Sequence, residues 1–146
     1  MTTQVSRAGT VMTRTDRSRL EEMVRSFGEC GGPRRGGVRE TLSELADVLR
    51  RAAVVPAAAV AADVVTMDSR VLARDVESGR AQTFTLVYHG EPGLFGTRLS
   101  VLTPLGVRAL GSRVGDVIEW PVPRGVRRLR IERLLYQPEA AGEAER

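Results

Sequence analysis

His89 and Cys30 are the chain's lone histidine and lone cysteine, and they lie in different parts of it. A zinc site needs several closely spaced His or Cys ligands, and a nucleophile needs a base within hydrogen-bond reach. Neither pattern is present. His89, beside Gly90 at a strand end, reads as a solvated loop residue, and Cys30 as an incidental thiol of a reducing cytoplasm. Magnesium chemistry needs paired carboxylates. The loop Gly28–Val38 sets Glu29 alone against Arg34 and Arg35, so no metal or cofactor is implied. The glycines of GVRALGSRVG close a helix and make a turn; they do not bridge strand to helix as a phosphate loop does. In RGVRRLRIER, alternation sets Arg128 and Arg130 on one strand face and Arg127 and Arg133 on the other. Such a run can touch RNA, but a charged solvent face that discourages edge pairing is the simpler reading. Thr103-Pro104, flanked by Leu102 and Leu105, joins an N-capping hydroxyl to a proline at the first helical position.

The elements that must carry these residues follow two periods. Leu20, Met23, Val24 and Phe27 recur at i, i+3, i+4 and i+7, the stripe of a helix, with Asp16 as its N-cap. Gly28 ends it, and ECGGPRRGG is too rich in glycine and proline for regular structure. Val38, Leu42, Leu45, Leu49 and Ala52 mark a second helix. Helices this short are marginal alone. Packed antiparallel as a short coiled-coil hairpin, they bury both stripes. Past Pro56 and an alanine-rich connector the period becomes two. Val71, Ala73 and Asp75 alternate with Leu72, Arg74 and Val76; Phe84, Leu86 and Tyr88 alternate with Thr83, Thr85 and Val87. Further strands are expected at Arg98–Leu102, Val117–Trp120 and Arg127–Tyr136, with a short helix over Leu105–Leu110 and Gly111 left-handed behind it.

The class is therefore α+β, a helical hairpin followed by an antiparallel sheet with one short helix on a face. The expected units are a disordered N-terminus (1–15), the hairpin (16–53), a connector (54–63), a C-terminal domain (64–138) and a flexible tail (139–146). Leu45→Asp is expected to melt the hairpin without unfolding the C-terminal domain.

Composition excludes more than it identifies. With 42% hydrophobic and 27% charged residues this is an ordinary globular composition, and the 4% of aromatics leaves a core of Val, Leu, Ile and Ala. No apolar run is long enough to span a membrane, and MTTQVSRAGTVMTRTDR has no signal-peptide core. The net charge of +4 invites a nucleic-acid partner. Every basic residue is arginine, however, which fits a genome rich in G and C as readily as phosphate binding.

VVTMDSRV, LTPLG, VGDVIEWPVP and LLYQPEAAG, in that order, resemble the Rnk family of nucleoside diphosphate kinase regulators, which is related to the Gre transcript-cleavage factors of bacterial RNA polymerase. The resemblance spans Val54 to Gly142; the N-terminal hairpin matches in pattern only. It implies a GreA/GreB-type, FKBP-like C-terminal domain that docks on the rim of the polymerase secondary channel. In Gre factors a Ser-Pro pair before the short helix grips that rim. The matching positions are Thr103 and Pro104, with Leu102 and Leu105 beside them, and threonine keeps the hydroxyl and the cap.

Gre factors also carry two acids at the tip of a longer hairpin, which help to hold a catalytic magnesium in the polymerase. Here Glu29, Arg34 and Arg35 make a net positive tip. Helices of about 12 and 15 residues reach only roughly 18 and 22 Å. The resemblance thus implies a non-catalytic, monomeric polymerase-binding regulator with no specific DNA binding of its own. One alternative is direct regulation of nucleoside diphosphate kinase. Another is a peptidyl-prolyl isomerase or chaperone-like activity, which needs an aromatic-lined pocket that three Phe, two Tyr and one Trp supply poorly.

Overall fold

The structure, a computed structural model, describes residues 10–29, 38–88 and 98–142. Helices α1 (Arg14–Glu29) and α2 (Val38–Arg51) pack against each other through the expected stripes. Leu20 and Leu45 are fully buried, and Met23, Val24, Phe27 and Leu42 pack around them. Ahead of α1, β1 (Val11–Met12) runs parallel to β2 (Ala53–Val54), which follows α2. Residues 10–15, expected to be disordered, are therefore held in place. Met12 is 1% exposed, and the Thr10 and Met12 carbonyls accept from Ala53 and Val55 at 2.9 and 3.0 Å. The cap of α1 is Thr13, whose Oγ1 accepts from the Asp16 amide at 3.2 Å. Asp16, expected at that position, stands one turn inside, because its carboxylate is needed elsewhere.

A five-stranded sheet forms from β3 (Arg70–Asp75), β4 (Ala81–Val87), β5 (Arg98–Ser100), β6 (Val117–Val122) and β7 (Gly125–Tyr136), ordered β5-β4-β3-β7-β6. Alternation holds along β3, where Val71, Ala73 and Asp75 point inward. The sheet is mixed, contrary to the expected antiparallel one: β5 runs parallel to β4, pairing Thr85 with Arg98 and Val87 with Ser100. The direction of β5 was not legible, because the glycine-rich composition between Val87 and Arg98 does not specify a connection. β7 lies between β3 and β6, so the arginine run protects no edge. Helix α3 (Pro104–Ala109) packs on β6 and α2.

One apolar cluster joins these parts. Leu20 of α1, Leu45 and Leu49 of α2, Leu86 of β4, Val107 of α3 and Ile131 of β7 all belong to it. The helix pair thus completes the core of the sheet, and each such aliphatic side chain contributes about 1.5–3 kcal/mol on burial. The chain's other end is fixed as well. Residues 139–142, expected in a flexible tail, belong to α4 (Pro138–Ala141) and its left-handed cap Gly142. Glu139 is buried there and accepts from Thr66 Oγ1 at 2.6 Å. Gln137 Nε2 donates to Ala61 and Val64 carbonyls at 2.8 and 2.7 Å, tying the connector to the end of β7.

Tyr88 donates to Asp16 Oδ1 at 2.9 Å, which joins α1 to the end of β4. Burial pushes the Asp16 carboxyl up to about 6, against the Tyr88 bond, with Glu139 and Asp68 adding repulsion and Arg19 some attraction. An unfolded aspartate titrates near 3.8, so between these values the folded chain holds a proton that the unfolded chain releases. The associated stability is full below pH 3.8 and is lost as pH rises through about 6. Asp16→Asn keeps an acceptor for Tyr88 without the buried charge. It is expected to raise stability at neutral pH by up to about 3 kcal/mol and to flatten the profile across that window. Urea melts at stepped pH check this; an unchanged slope would contradict it.

Candidate docking surface

The corner between β5 and α3 is built from side chains that satisfy one another's backbone. Val101 enters the turn with its amide donating to the Val87 carbonyl at 2.9 Å. Leu102 N then donates to Ser100 Oγ at 3.1 Å. Thr103 Oγ1 donates to the Ser100 carbonyl at 2.7 Å and accepts from the Gly106 amide at 3.0 Å. One hydroxyl thus caps α3 and closes the turn before it, and Pro104, which lacks an N–H, costs nothing at the first helical position because an amide there would have no partner within the helix. Gly106 makes the approach possible. A Cβ at that position would lie 2.0 Å from the Ser100 carbonyl oxygen. Behind the helix Gly111 is left-handed, with φ +84°, as its position requires.

Of the four residues expected to dock, only Pro104 is exposed. Leu102 is 6% exposed and lies in the core, and Leu105 packs half-buried against it. The reason is the corner itself: holding Thr103 as a cap turns the flanking leucines back over the sheet. Thr103 is half-buried, with its hydroxyl committed to the two bonds above. At the hairpin tip Arg34 and Arg35 lie outside the described residues, as do Cys30 and His89, and only the backbone of Glu29 is described, ending α1.

Three residues of the corner were not singled out from sequence. Ser100 and Gly106 carry no signal without the fold; Gly106 in particular stands where alanine would be the better helix former. Arg108 is the third. Its Nε meets Glu44 Oε2 of α2 at 3.0 Å and its Nη1 donates to the Glu119 carbonyl of β6 at 2.9 Å, so one half-buried guanidinium sets α3 against both neighbours. At the far end of the sheet Arg127 pairs with Asp75, and the amides of Glu77 and Ser78 donate to Asp75 Oδ1 at 2.9 Å each. Arg127 first, then the Ser78 amide, hold that carboxyl down to about 2. This closes the β3–β4 turn. Among the described residues no group of three or more His, Cys, Asp or Glu side chains is placed to hold a metal ion. Nor is any helix among them long and apolar enough to cross a membrane.

The corner between β5 and α3 is thus held by its own hydrogen bonds and by close backbone packing at Gly106. Residues 60–136 match the family model described as transcription elongation factor GreA/GreB, C-terminal. A regulator of nucleoside diphosphate kinase from Escherichia coli K12 is 49% identical over 82 residues, 56% of this chain and 60% of that protein. Transcription elongation factor GreA from Thermotoga maritima is 30% identical over 96 residues, 66% of this chain and 61% of that protein. The chain thus spans about 60% of the length of these curated relatives. A solved structure of a prokaryotic transcription elongation factor GreA/GreB from Nitrosomonas europaea superposes with a TM-score of 0.72 at 34% identity, covering 87% of this chain and 99% of that one. With helices and a five-stranded sheet arranged as in that factor, and a family match over more than half its length, the chain belongs to the GreA/GreB C-terminal family.

Proposed function

We propose that this protein is a non-catalytic regulator that binds bacterial RNA polymerase on the rim of its secondary channel and does not stimulate transcript cleavage. The observation that carries the reading is the β5–α3 corner. It is a rigid turn, capped by Thr103 and locked by Gly106, and it presents Pro104 outward within the segment that matches the GreA/GreB family. Rigid loops lose little entropy on docking. The helices α1 and α2, with 16 and 14 residues, reach only about 24 and 21 Å at 1.5 Å per residue. A hairpin of that length with Glu29 against Arg34 and Arg35 near its tip is poorly suited to deliver magnesium, which requires convergent carboxylates. The α1–α2 pair acts here as a short coiled-coil hairpin and the sheet as the FKBP-like platform that seats it.

The immobilised chain is expected to capture core polymerase. Pro104→Glu, at an exposed position that accepts an acid near a helix N-terminus, is expected to weaken capture at least about tenfold with an unchanged melting temperature. Full capture by the variant would remove the corner from the interface.

The name of the 49% identical relative favours a second reading, direct control of a nucleoside diphosphate kinase. Pairwise binding to the purified kinase, with polymerase absent, separates the two.

A further inference from the structure

The arginine run on β7 has lost its sequence explanation, because β7 is an interior strand and has no edge to protect. Its register against β3 supplies another. Two irregularities interrupt the pairing, one between Leu72 and Ala73 and one between Arg70 and Val71, so that Glu132 and Leu135 are the extra residues on β7. Simple alternation would send Arg130 and Arg133 to opposite faces. With the bulges, Arg130 lies opposite Arg74, Arg133 opposite Leu72 and Tyr136 opposite Arg70. All three therefore stand on the face away from the core, while Ile131 and Leu134 point into it.

That face carries an excess of arginine. Arg74 is paired with Glu132, and Arg128 with Glu119 and Glu77. Arg70, Arg130 and Arg133 are exposed and have no acidic partner among the described residues. Arg130 lies directly opposite Arg74, whose charge Glu132 already offsets, so the unbalanced charge of that cross-strand pair rests on Arg130. Tyr136 lies beside Arg70 and is 38% exposed, and Thr83 and Thr85 stand half-buried on β4 next to them.

We infer that the open face of the sheet binds single-stranded RNA, with Arg70, Arg130 and Arg133 on successive phosphates and Tyr136 against a base. Guanidinium groups bond phosphate through two parallel donors, and an exposed tyrosine ring beside them gives an unpaired base, which a duplex does not offer, a surface to stack on. The inference goes beyond polymerase docking and does not depend on it, so the test uses the full chain alone.

Fluorescence anisotropy with a labelled oligouridylate is expected to show binding at low salt, weakening with a log–log slope of about −2 for three phosphates. Replacing Arg70, Arg130 and Arg133 by Gln is expected to cut affinity by about tenfold or more and to flatten that slope. Tyr136→Leu is expected to weaken binding about threefold or more with the slope unchanged. Circular dichroism melts confirm folding. Should the triple variant melt early, the single Arg133→Gln reports instead, with a slope reduced by about 0.7. Arg34→Gln with Arg35→Gln serves as the control and is expected to bind as the parent does. No binding at low salt, an indifferent triple variant, or equal loss in the tip control would overturn the inference. So would a polyglutamate peptide bound as tightly as RNA and insensitive to Tyr136→Leu, which would assign the face to an acidic polypeptide.

Discussion

Leu45→Asp is expected to unfold the whole chain in one transition, and not the helix pair alone. Leu45 is fully buried on α2 within the cluster that also contains Leu86, Ile118 and Ile131 of the sheet. A carboxylate there has no partner, and removing the leucine also leaves a cavity. Together these cost about 5 kcal/mol or more, comparable with the entire stability of a small domain. The sequence pattern alone pointed the other way, towards a hairpin that melts by itself. The shared core reverses that expectation. Trp120, the only tryptophan, lies half-buried on β6 and reports on the sheet, while far-ultraviolet circular dichroism reports on the helices. Both signals should be lost together. Native Trp120 emission beside a lost helical signal would mean that the pair is an appendage after all.

Gly106→Ala is expected to destabilise the fold by about 3 kcal/mol, although alanine is ordinarily the better helix residue by about 1 kcal/mol. The added methyl would lie 2.0 Å from the Ser100 carbonyl oxygen, 2.8 Å from its carbon and 2.9 Å from Thr103 Oγ1. Two of these three atoms belong to backbone, so relief requires the whole corner to open, with loss of the Thr103 bonds to Ser100 and Gly106. Urea denaturation should show a lower midpoint at the same slope, and capture of polymerase should fall in parallel. A midpoint equal to or above the parent's would show that the corner is not tight.

Much of this was legible in the chain because the signals are local. Thr103 followed by Pro104 is a local helix-start signal, and α3 begins there with the hydroxyl bond in place. The alternation of Val71, Ala73 and Asp75 fixed the inward face of β3. The failures share a different cause, in that competing local patterns were nearly equal and long-range packing chose between them. Thr13 and Asp16 are both good caps, and the choice fell to Thr13 because Tyr88, distant in sequence, engages Asp16. The bulges of β7 left a trace in RLRIERLLY, whose alternation breaks at Glu132-Arg133 and at Leu134-Leu135, but only pairing with β3 turns those breaks into register slips. Leu102 and Leu105 were placed beside Thr103 and Pro104 through the family resemblance, and nothing local in their sequence says that they pack against the core. The sheet's need for a cover decided it. The direction of β5 depended on a connection whose composition favours no path.

The central claim is that the protein binds polymerase without lending it a metal, and backtracked transcription complexes test it most directly. With end-labelled RNA in halted, backtracked complexes, the chain is expected to co-migrate with polymerase while the RNA stays at its original length. Release of short RNA fragments on addition of the purified chain, at a rate above that of polymerase alone, would contradict the account.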